Sequence, residues 1–373
     1  MTALSASEIR TDSPHVQIEC PGRVGCITLS RPQALNALSL DMIRALTTCL
    51  LAWREDPDVL AVAIRGSNKE GPFGSFCAGG DIRFFHQAAH QGAPELEDFF
   101  TEEYRLNHLI HTYPKPYIAF MDGIVMGGGM GISQGASVRV VTPRTKMAMP
   151  ETGIGLFPDV GGGFFLSRCP GRVGEWLALT GQTIEAGDAV AWGLADGCLE
   201  PGRLPTLWTA LLNTPFESSN AVEHLVNAKL TAPNGQYKNA RALIDRCFSL
   251  PTVHDIMSAL AEDAAPFAQQ TLALLHQRSP LMLKVVLEQI RRARSMSLVD
   301  ELRMERDMVR HCFHPQHLGR SAKESETVEG IRALAIDKDH QPRWQPSALE
   351  AVTSEMVDGF FRSPWPVHAH PLR

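Results

Sequence analysis

The stretch KPYIAFMDGIVMGGGMGISQGASVRVVTPRTKMAMPETGIGLFPDVGGGFFLSR, residues 115–168, decides the fold. Two apolar runs of β-type composition, 116–121 and 137–141, flank a first glycine cluster at 127–131, and a second cluster occupies 161–163. A strand followed by a glycine turn, a short helix and another strand predicts an α/β layer. Because glycine has no Cβ, both clusters also let backbone N–H groups approach a ligand closely.

The segments before this stretch continue the alternation of strands and helices. Apolar runs at 16–20 and 24–29 predict a hairpin, and 59–64 predicts a buried strand. Helices are expected from the N-cap candidate Ser39 onwards and over 97–111, where apolar residues recur at helical spacing. The fold class predicted from these patterns is α/β.

Composition changes near residue 203, after which helical patterns such as that of 279–294 dominate. The end of the chain is rich in proline and histidine, which is typical of a loose tail. We therefore predict a flexible N-terminus at 1–14, a core domain at 15–203, a helical C-terminal domain at 204–362 and a tail at 363–373.

Composition and charge exclude several classes of protein. The 373 residues are 44% hydrophobic and 20% charged, which is ordinary for a globular protein. A net charge of −6 argues against a nucleic-acid or polybasic membrane surface, and no apolar run approaches the ~18 residues that span a membrane. Eight scattered cysteines without a C-x-x-C pair indicate reduced thiols. With no apolar signal segment near the start, we predict a cytoplasmic protein.

Two carboxylates and two glycine turns are the candidate catalytic groups. Glu151 and Asp159 each follow a proline between the glycine clusters, and each is a candidate base or nucleophile. Gly80 and Gly128 lie at predicted loop-to-helix junctions, where free N–H groups are available. Two such donors aimed at one point form an oxyanion hole, worth ~2.7–4 kcal/mol per donor in acyl transfer. Purely structural roles remain open for all four residues, as packing glycines, a helix cap or a turn.

Three other motifs are weaker. The segment 131–135 matches the G-x-S-x-G nucleophile elbow around Ser133, but the elbow needs its serine directly after a strand, and the apolar run ends near 121. Gln134 stands where a dinucleotide-binding G-x-G-x-x-G has its last glycine. The histidines and cysteine of 311–317 fit no specific metal spacing. No metal site is predicted.

Several motifs resemble the crotonase (enoyl-CoA hydratase/isomerase) superfamily, and within it the 3-hydroxyisobutyryl-CoA hydrolase branch. They are CAGGDIR at 77–83, GGGMG at 127–131, PETGIGLFPDVGGGFFLSR at 150–168, TEEYRLN at 101–107, LALTG at 177–181 and GIRALAIDKDHQPRWQP at 330–346. The similarity covers roughly 16–361. It implies a crotonase-like spiral of ββα units with an α-helical C-terminal region. It also implies an acyl-CoA thioester as substrate, a place in valine catabolism, and no cofactor beyond the CoA of the substrate.

The resemblance assigns roles to residues of this sequence. The thioester carbonyl oxygen would lie between the N–H groups of Gly80 and Gly128. Glu151 would attack the carbonyl or activate a water, and Asp159 would hold the substrate hydroxyl. Further substrate contacts are expected from Ala37, Ala78, Gly79, Asp81 and Glu103, with Arg31 and Arg83 as candidates for the CoA phosphates.

One departure from the superfamily bears on the reaction. Gly131 stands where hydratases are expected to carry a glutamate, so this chain should be poor at adding water to a double bond. Three alternatives remain open: an enoyl-CoA hydratase or isomerase, a thioesterase that uses Ser133, and a non-catalytic acyl-CoA-binding protein. A homo-oligomer also remains open, because the superfamily often forms trimers but the C-terminal helices could cover that surface.

Overall fold

The structure is a computed structural model that describes Ile9 and residues 11–372. Residues 1–8 and 10 of the predicted N-terminal segment 1–14, and residue 373 of the predicted tail, lie outside the described residues.

The chain forms two compact units, each assembled from three stretches of sequence. Unit 1 contains the described residues up to Gly80, Arg105–Met147 and Ile184–Gln236. Unit 2 contains Asp81–Tyr104, Ala148–Thr183 and the described residues from Tyr237 onwards. The predicted domain boundary at 203 lies inside unit 1, and the division at that residue stays a prediction.

Unit 1 is built on a mostly parallel sheet. Its strands are β1 Val16–Glu19, β2 Val24–Leu29, β3 Ala61–Asn68, β4 Gly71–Pro72, β5 Tyr117–Met121, β6 Ile124–Met126, β7 Val138–Val141, β8 Lys146–Ala148, whose last residue belongs to unit 2, and β9 Gly197–Cys198. The main sheet has the order β1-β2-β3-β5-β7-β9, β4 pairs with β3, and β6 pairs with β8 separately.

The strand register explains why the central strands read as continuous apolar runs. The strands β1 and β2 pair antiparallel with Val16 opposite Leu29, which confirms the predicted hairpin. The following pairs β2–β3, β3–β5, β5–β7 and β7–β9 are parallel. All six residues of β2 are buried, as expected for a parallel strand covered on both faces.

The helices of both units are long enough to bury an apolar face. In unit 1 they are α1 Leu40–Glu55, α4 Gly128–Gln134, α7 Ala186–Ala191, α8 Leu204–Asn213 and α9 Ser219–Asn227. In unit 2 they are α2 Ile82–Gln91, α5 Gly162–Ser167, α6 Val173–Thr180, α10 Arg241–Phe248, α11 Val253–Ala261, α12 Pro266–Leu275, α13 Pro280–Ala293, α14 Leu298–Phe313, α15 Glu326–Ile331 and α16 Ser354–Phe360. The helix α3, Glu95–His111, begins in unit 2 and ends in unit 1.

The core of unit 1 lies between the sheet and the helices α8 and α9. Trp208 of α8 packs edge-on against Phe120 of β5, with ring centroids 5.7 Å apart. Leu211 of α8 and Val222 of α9 are fully buried in the same cluster. Burial of this apolar surface holds the two helices on the sheet.

In unit 2 an ion-pair network joins α3 to α14. The carboxylate of Glu97 accepts hydrogen bonds from Arg306 and Arg310, each at 2.5 Å. Burial opposes ionisation of Glu97, but hydrogen bonds from His314 and Arg306 lower its pKa to about 2. Arg306 also donates to the hydroxyl of Thr101 at 3.0 Å, so the turn of α3 before Glu103 is tied to α14.

The predicted tail contacts α14 in unit 2. Arg303 donates to the carbonyl oxygen of Leu372 at 2.8 Å, and the guanidinium of Arg306 lies 4.7 Å from the ring centroid of Trp365. The described part of the segment 363–373 is thus anchored on the same helix as α3.

Candidate active site

The two predicted oxyanion donors lie on neighbouring segments of unit 1. Cys77 donates to the carbonyl oxygen of Ile124 at 2.9 Å, and Met126 donates back to Cys77 at 3.0 Å. A Cβ placed on Gly79 would lie 3.5 Å from the amide nitrogen of Gly128, so the two glycine turns are in contact. Within the described residues, neither the N–H of Gly80 nor that of Gly128 has a hydrogen-bond acceptor. Both groups are therefore available to a ligand.

Glycine is required where these segments meet. A Cβ on Gly129, at the start of α4, would overlap the carbonyl oxygen of Cys77. The cluster at 127–131 thus permits a close backbone approach, as its composition predicts.

The loop that precedes α1 lies along the first of these segments. Ala78 donates to the carbonyl oxygen of Leu35 at 3.0 Å, and Leu38 donates to that of Gly79 at 2.8 Å. These bonds place the predicted contact Ala37 next to Ala78 and Gly79. Arg31, a candidate for the CoA phosphates, donates to the carbonyl oxygen of Ala37 at 2.9 Å.

Asn36 organises this part of unit 1, and sequence reasoning missed it. Its side-chain amide is fully buried, and its two N–H groups are shared among the carbonyl oxygens of Ser67, Ser75 and Phe76 at 2.8, 3.0 and 3.1 Å. Its oxygen accepts the backbone N–H of Arg31 at 2.9 Å. A positive φ of 57° was the local sign of a special role, since Asn is among the few residues that adopt it readily.

Two predicted binding residues lie at the start of α2. The carboxylate of Asp81 is the N-cap of α2 and accepts the backbone N–H of Phe84 at 3.3 Å. Arg83 is exposed on the same helix. A substrate contact for either residue stays a prediction.

The three predicted carboxylates all lie in unit 2 and are all buried. Glu103, Glu151 and Asp159 expose 2%, 6% and 5% of their surface. Burial and the neighbouring charge of Asp159 raise the pKa of both Glu103 and Glu151 well above the ordinary range. Burial and the charge of Glu305 raise the pKa of Asp159 to about 7. A carboxyl whose pKa lies near neutral pH, as that of Asp159 does, is suited to acid–base work.

Glu151 begins a short 3₁₀ turn, Glu151–Ile154, and one of its two carboxyl oxygens lacks a hydrogen-bond donor in the described part of the chain. Its carbonyl oxygen accepts the backbone N–H of Leu156 at 3.0 Å, which fixes the turn. No group among the described residues donates to its Oε2. A buried oxygen without a partner is costly, which is typical of a group that awaits a ligand or carries a proton.

Asp159 has a partner that the sequence did not indicate. The hydroxyl of Tyr104, on α3, donates to its Oδ2 at 2.9 Å. Tyr104 is fully buried beside Glu103, so one turn of α3 contributes two polar groups to this cluster. The motif TEEYRLN contained the tyrosine, but nothing local distinguished it from a core residue.

The turn that carries Asp159 is hydrogen-bonded through its backbone to side chains of α13 and α14. Glu305 accepts the backbone N–H groups of Gly161 and Gly163 at 2.8 and 3.1 Å. Gln289 donates to the carbonyl oxygen of Pro158 at 2.7 Å. Helical spacing was the available sequence pattern, because Glu301, Glu305, Met308 and Cys312 share the buried face of α14.

The serine of the G-x-S-x-G motif lies inside a helix. Ser133 is fully buried in α4, and its hydroxyl donates to the carbonyl oxygens of Gly129 and Met130 at 2.8 and 3.2 Å. Among the described residues no histidine is hydrogen-bonded to it. A nucleophile elbow is therefore not formed.

In the part of the chain that the structure describes, no three histidine, cysteine or acidic side chains group as a metal site would. None of the helices within residues 9 and 11–372 has both the length and the apolar character to cross a membrane. His311, in the predicted His/Cys segment, lies 2.8 Å from the carbonyl oxygen of Arg362 through its Nε2.

A sequence model of the enoyl-CoA hydratase/isomerase family matches residues 24–361. The chain belongs to the enoyl-CoA hydratase/isomerase family. The predicted resemblance is thereby confirmed.

Proteins that are similar to this chain over nearly its whole length are named 3-hydroxyisobutyryl-CoA hydrolase, mitochondrial. The protein from Gallus gallus is 39% identical, over 94% of this chain and 90% of the relative. The protein from Homo sapiens is 37% identical, over 93% of this chain and 88% of the relative.

Two solved structures of the family are similar throughout. A carnitinyl-CoA dehydratase from Mycobacterium thermoresistibile has a TM-score of 0.86 and 38% identity, with 96% of this chain and 98% of that chain covered. An enoyl-CoA hydratase from Rhodobacter sphaeroides 2.4.1 has a TM-score of 0.84 and 35% identity, with 96% and 99% covered. The predicted fold class, a crotonase-like α/β fold with a helical C-terminal region, is confirmed.

Proposed function

We propose that this chain hydrolyses a short 3-hydroxyacyl-CoA thioester, with 3-hydroxyisobutyryl-CoA as substrate and 3-hydroxyisobutyrate and CoA as products. The buried Glu151 carboxyl, whose Oε2 has no donor among the described residues, is the observation that carries the proposal. The names of the relatives at 37–40% identity support the same substrate, and the proposed place in valine catabolism comes from the family resemblance.

The oxyanion donors would act on the thioester carbonyl. Gly80 and Gly128 would donate their free N–H groups to the carbonyl oxygen, which becomes negatively charged as the carbon is attacked. Ala37, Ala78 and Gly79 would contact the substrate along the adjoining loops. These roles come from the family resemblance, and they assign the donors and the carboxylates to one reaction.

The carboxylates would carry out the chemistry. The ionised Glu151 would attack the thioester carbon, the C–S bond would break, and CoA would leave as a thiolate. Water would then hydrolyse the mixed anhydride and return the carboxylate. In the alternative route Glu151 removes a proton from the attacking water. A thiol has a pKa of about 8.5, so its departure needs less acid assistance than that of an amine.

Asp159 and Glu103 would contact the acyl group. Asp159 would hold the 3-hydroxyl of the substrate, and Glu103 would add a further polar contact. The CoA moiety belongs to the substrate, so the proposed reaction requires no separate cofactor.

The decisive experiment compares thiol release from 3-hydroxyisobutyryl-CoA with hydration of crotonyl-CoA. We expect thiol release without hydration, and we expect Ser133→Ala to retain it because that hydroxyl is bonded inside α4. Hydration without thiol release would instead place the chain with the hydratases that the similar structures are named for. Binding of the ester without either reaction would indicate an acyl-CoA-binding protein.

The two routes for Glu151 are distinguished by a single turnover in heavy-oxygen water with enzyme in excess. In the anhydride route label enters the Glu151 carboxyl when the anhydride is opened at that side. Label found only in the product acid would contradict an anhydride that water opens at Glu151.

Replacing Tyr104 by phenylalanine should shift the pH dependence. The Tyr104 hydroxyl opposes the effect of burial on the pKa of Asp159, so its removal raises that pKa further. The acidic limb of kcat/KM should therefore move to higher pH, with roughly tenfold loss in mildly acidic buffer, since a hydrogen bond to a charged group is worth about 1.5–3 kcal/mol. Activity in alkaline buffer should change less.

The matched control for this variant is Tyr113→Phe. Tyr113 also loses a hydroxyl that donates a hydrogen bond, to the carbonyl oxygen of Leu50 at 2.7 Å, but it lies in unit 1. The acidic limb of kcat/KM in Tyr113→Phe should lie at the same pH as in the parent. A limb that stays put in Tyr104→Phe would show that Asp159 does not control the profile.

We also propose the cytoplasm as the compartment; among the described residues none of the eight cysteines forms a disulfide. The relatives are named mitochondrial, so cell fractionation is the test. A homo-oligomer stays a prediction that light scattering would decide.

A further inference from the structure

We propose that Glu305 is a positioning residue that fixes the turn bearing Asp159 and sets the ionisation of the catalytic carboxylates. Glu305 and Glu301 share one proton, which Glu301 carries and donates to Glu305. The inference rests on the proposed function for the role of Asp159, but its structural part can be tested without substrate.

The turn needs external support. Val160 has φ of 57°, which is costly for a β-branched residue, and Gly161 follows with φ of 85°. The two oxygens of Glu305 accept the N–H groups of Gly161 and Gly163, one each. Gln289 holds the other end through Pro158 and also donates to Glu305 at 3.3 Å. The strained turn is thus clamped on both sides of Asp159.

The third glycine of the cluster makes room for the second carboxyl. A Cβ on Gly163 would overlap Oε1 of Glu301. The side chains of Glu301 and Glu305 are one turn apart on α14, fully buried, and each affects the pKa of the other. The glycine run therefore permits the backbone conformation of the turn and also leaves space for the two carboxyls beside it.

Such a pair must hold a proton. Two adjacent carboxylates in a buried site cannot both ionise, because each disfavours the charge of the other. Burial is the main cause that raises the pKa of both groups. Glu305 uses both oxygens as acceptors, whereas no N–H or O–H of the described residues donates to Glu301. The proton therefore resides on Glu301, which donates it to Glu305.

The negative charge on Glu305 affects the pKa values of the catalytic carboxylates. After burial, the charge of Glu305 is the main cause that raises the pKa of Asp159, and it also raises that of Glu151. The titratable and charged groups that face the pair are Arg168 beyond α5, Glu103 and Tyr104 on α3, Glu151 and Asp159. Only Arg168 among them is cationic, and it is exposed.

Two isosteric variants separate the two roles. In Glu301→Gln the amide donates to Glu305 permanently, as the shared proton does, so kcat for thiol release should stay within about twofold and the acidic limb of kcat/KM should not move. In Glu305→Gln the amide nitrogen faces a backbone N–H, and the charge near Asp159 and Glu151 is lost. We expect kcat to fall about ten- to hundredfold, as for a small displacement of a catalytic group. The acidic limb should move to lower pH.

A merely structural role for Glu305 would lower kcat without moving the acidic limb, and that result would overturn the proposal. Equal losses in both variants would also overturn it, because the proton would then not reside on Glu301. If Glu305→Gln does not fold, Glu301→Gln decides: activity within about twofold supports the proposal, and a tenfold loss refutes it.

An infrared measurement tests the proton without substrate. At neutral pH the carbonyl band of one protonated carboxyl should disappear in the difference between parent and Glu301→Gln, and that same band should persist in Glu305→Gln. The reverse pattern would place the proton on Glu305 and contradict the proposal. If the parent releases no thiol, the proposed function fails, whereas this spectrum still decides where the proton lies.

Discussion

Glu151→Gln should lower kcat for thiol release by roughly 10³-fold while KM changes only a few-fold. The substitution keeps the size and shape of the side chain and removes its ability to attack the thioester or to take a proton from water. Substrate contacts by the glycine turns are unaffected, so ground-state binding should survive. Steady-state thiol release with 3-hydroxyisobutyryl-CoA gives both constants.

The same variant should not be less stable than the parent, which separates a catalytic role from a structural one. Glu151 has a pKa raised well above its ordinary value by burial and by Asp159. A carboxyl with a higher pKa in the folded state binds more protons there than in the unfolded chain. Its contribution to stability is present below the unfolded pKa and is lost as pH rises through the folded one. At neutral pH the buried carboxyl therefore lowers the stability of the folded state, and replacing it by glutamine removes this cost. Thermal unfolding of the variant should occur at the parent temperature or above.

Glu288→Gln is the control for a lost carboxylate in the same unit. Glu288 lies half-exposed on α13, where it pairs with Arg292 at 2.7 Å. Its replacement should leave kcat within about twofold, because exposed pairs contribute little. A loss below tenfold in Glu151→Gln would remove Glu151 from the chemistry, and an accompanying loss in Ser133→Ala would move the reaction to the serine.

Local patterns predicted the elements of this chain better than their arrangement. The hairpin of β1 and β2, the helix after Ser39 and the strands around the first glycine cluster are confirmed, because each depends on periodicity and turn residues within a short window. The strand order of the sheet and the interleaving of the two units depend on contacts between distant segments. No short window of sequence contains that information.

In the candidate site, too, local features were predicted and contacts between distant segments were not. The glycine turns and Glu151 could be named from residue type and from the family resemblance, and their roles stay predictions. Tyr104, Glu305 and Asn36 were missed because each acts on a segment far away in sequence. Glu305 binds backbone groups that precede it by more than 140 residues. A buried polar residue is informative once its burial is known, and burial of single polar side chains was not read from the sequence.

Asn36→Ala should lower the free energy of unfolding by roughly 3–5 kcal/mol. Three buried carbonyl oxygens lose their donor, the N–H of Arg31 loses its acceptor, and each buried group left unpaired costs about 1–3 kcal/mol before relaxation. Urea unfolding followed by circular dichroism measures the change. Activity should fall as well, because Phe76 immediately precedes the segment that carries Gly80.

Asn68→Ala is the matched control, since its side chain also bonds to backbone groups. Asn68 Oδ1 accepts the N–H groups of Glu70 and Gly71 at 2.8 and 3.0 Å, but these lie at an exposed turn where water can replace the side chain. We expect its replacement to cost about 1 kcal/mol or less. Equal costs in the two variants would mean that the carbonyls around Asn36 find other donors. The loop containing Ala37 would then be held by its remaining bonds, among them the backbone bonds of Leu35 and Leu38 to Ala78 and Gly79.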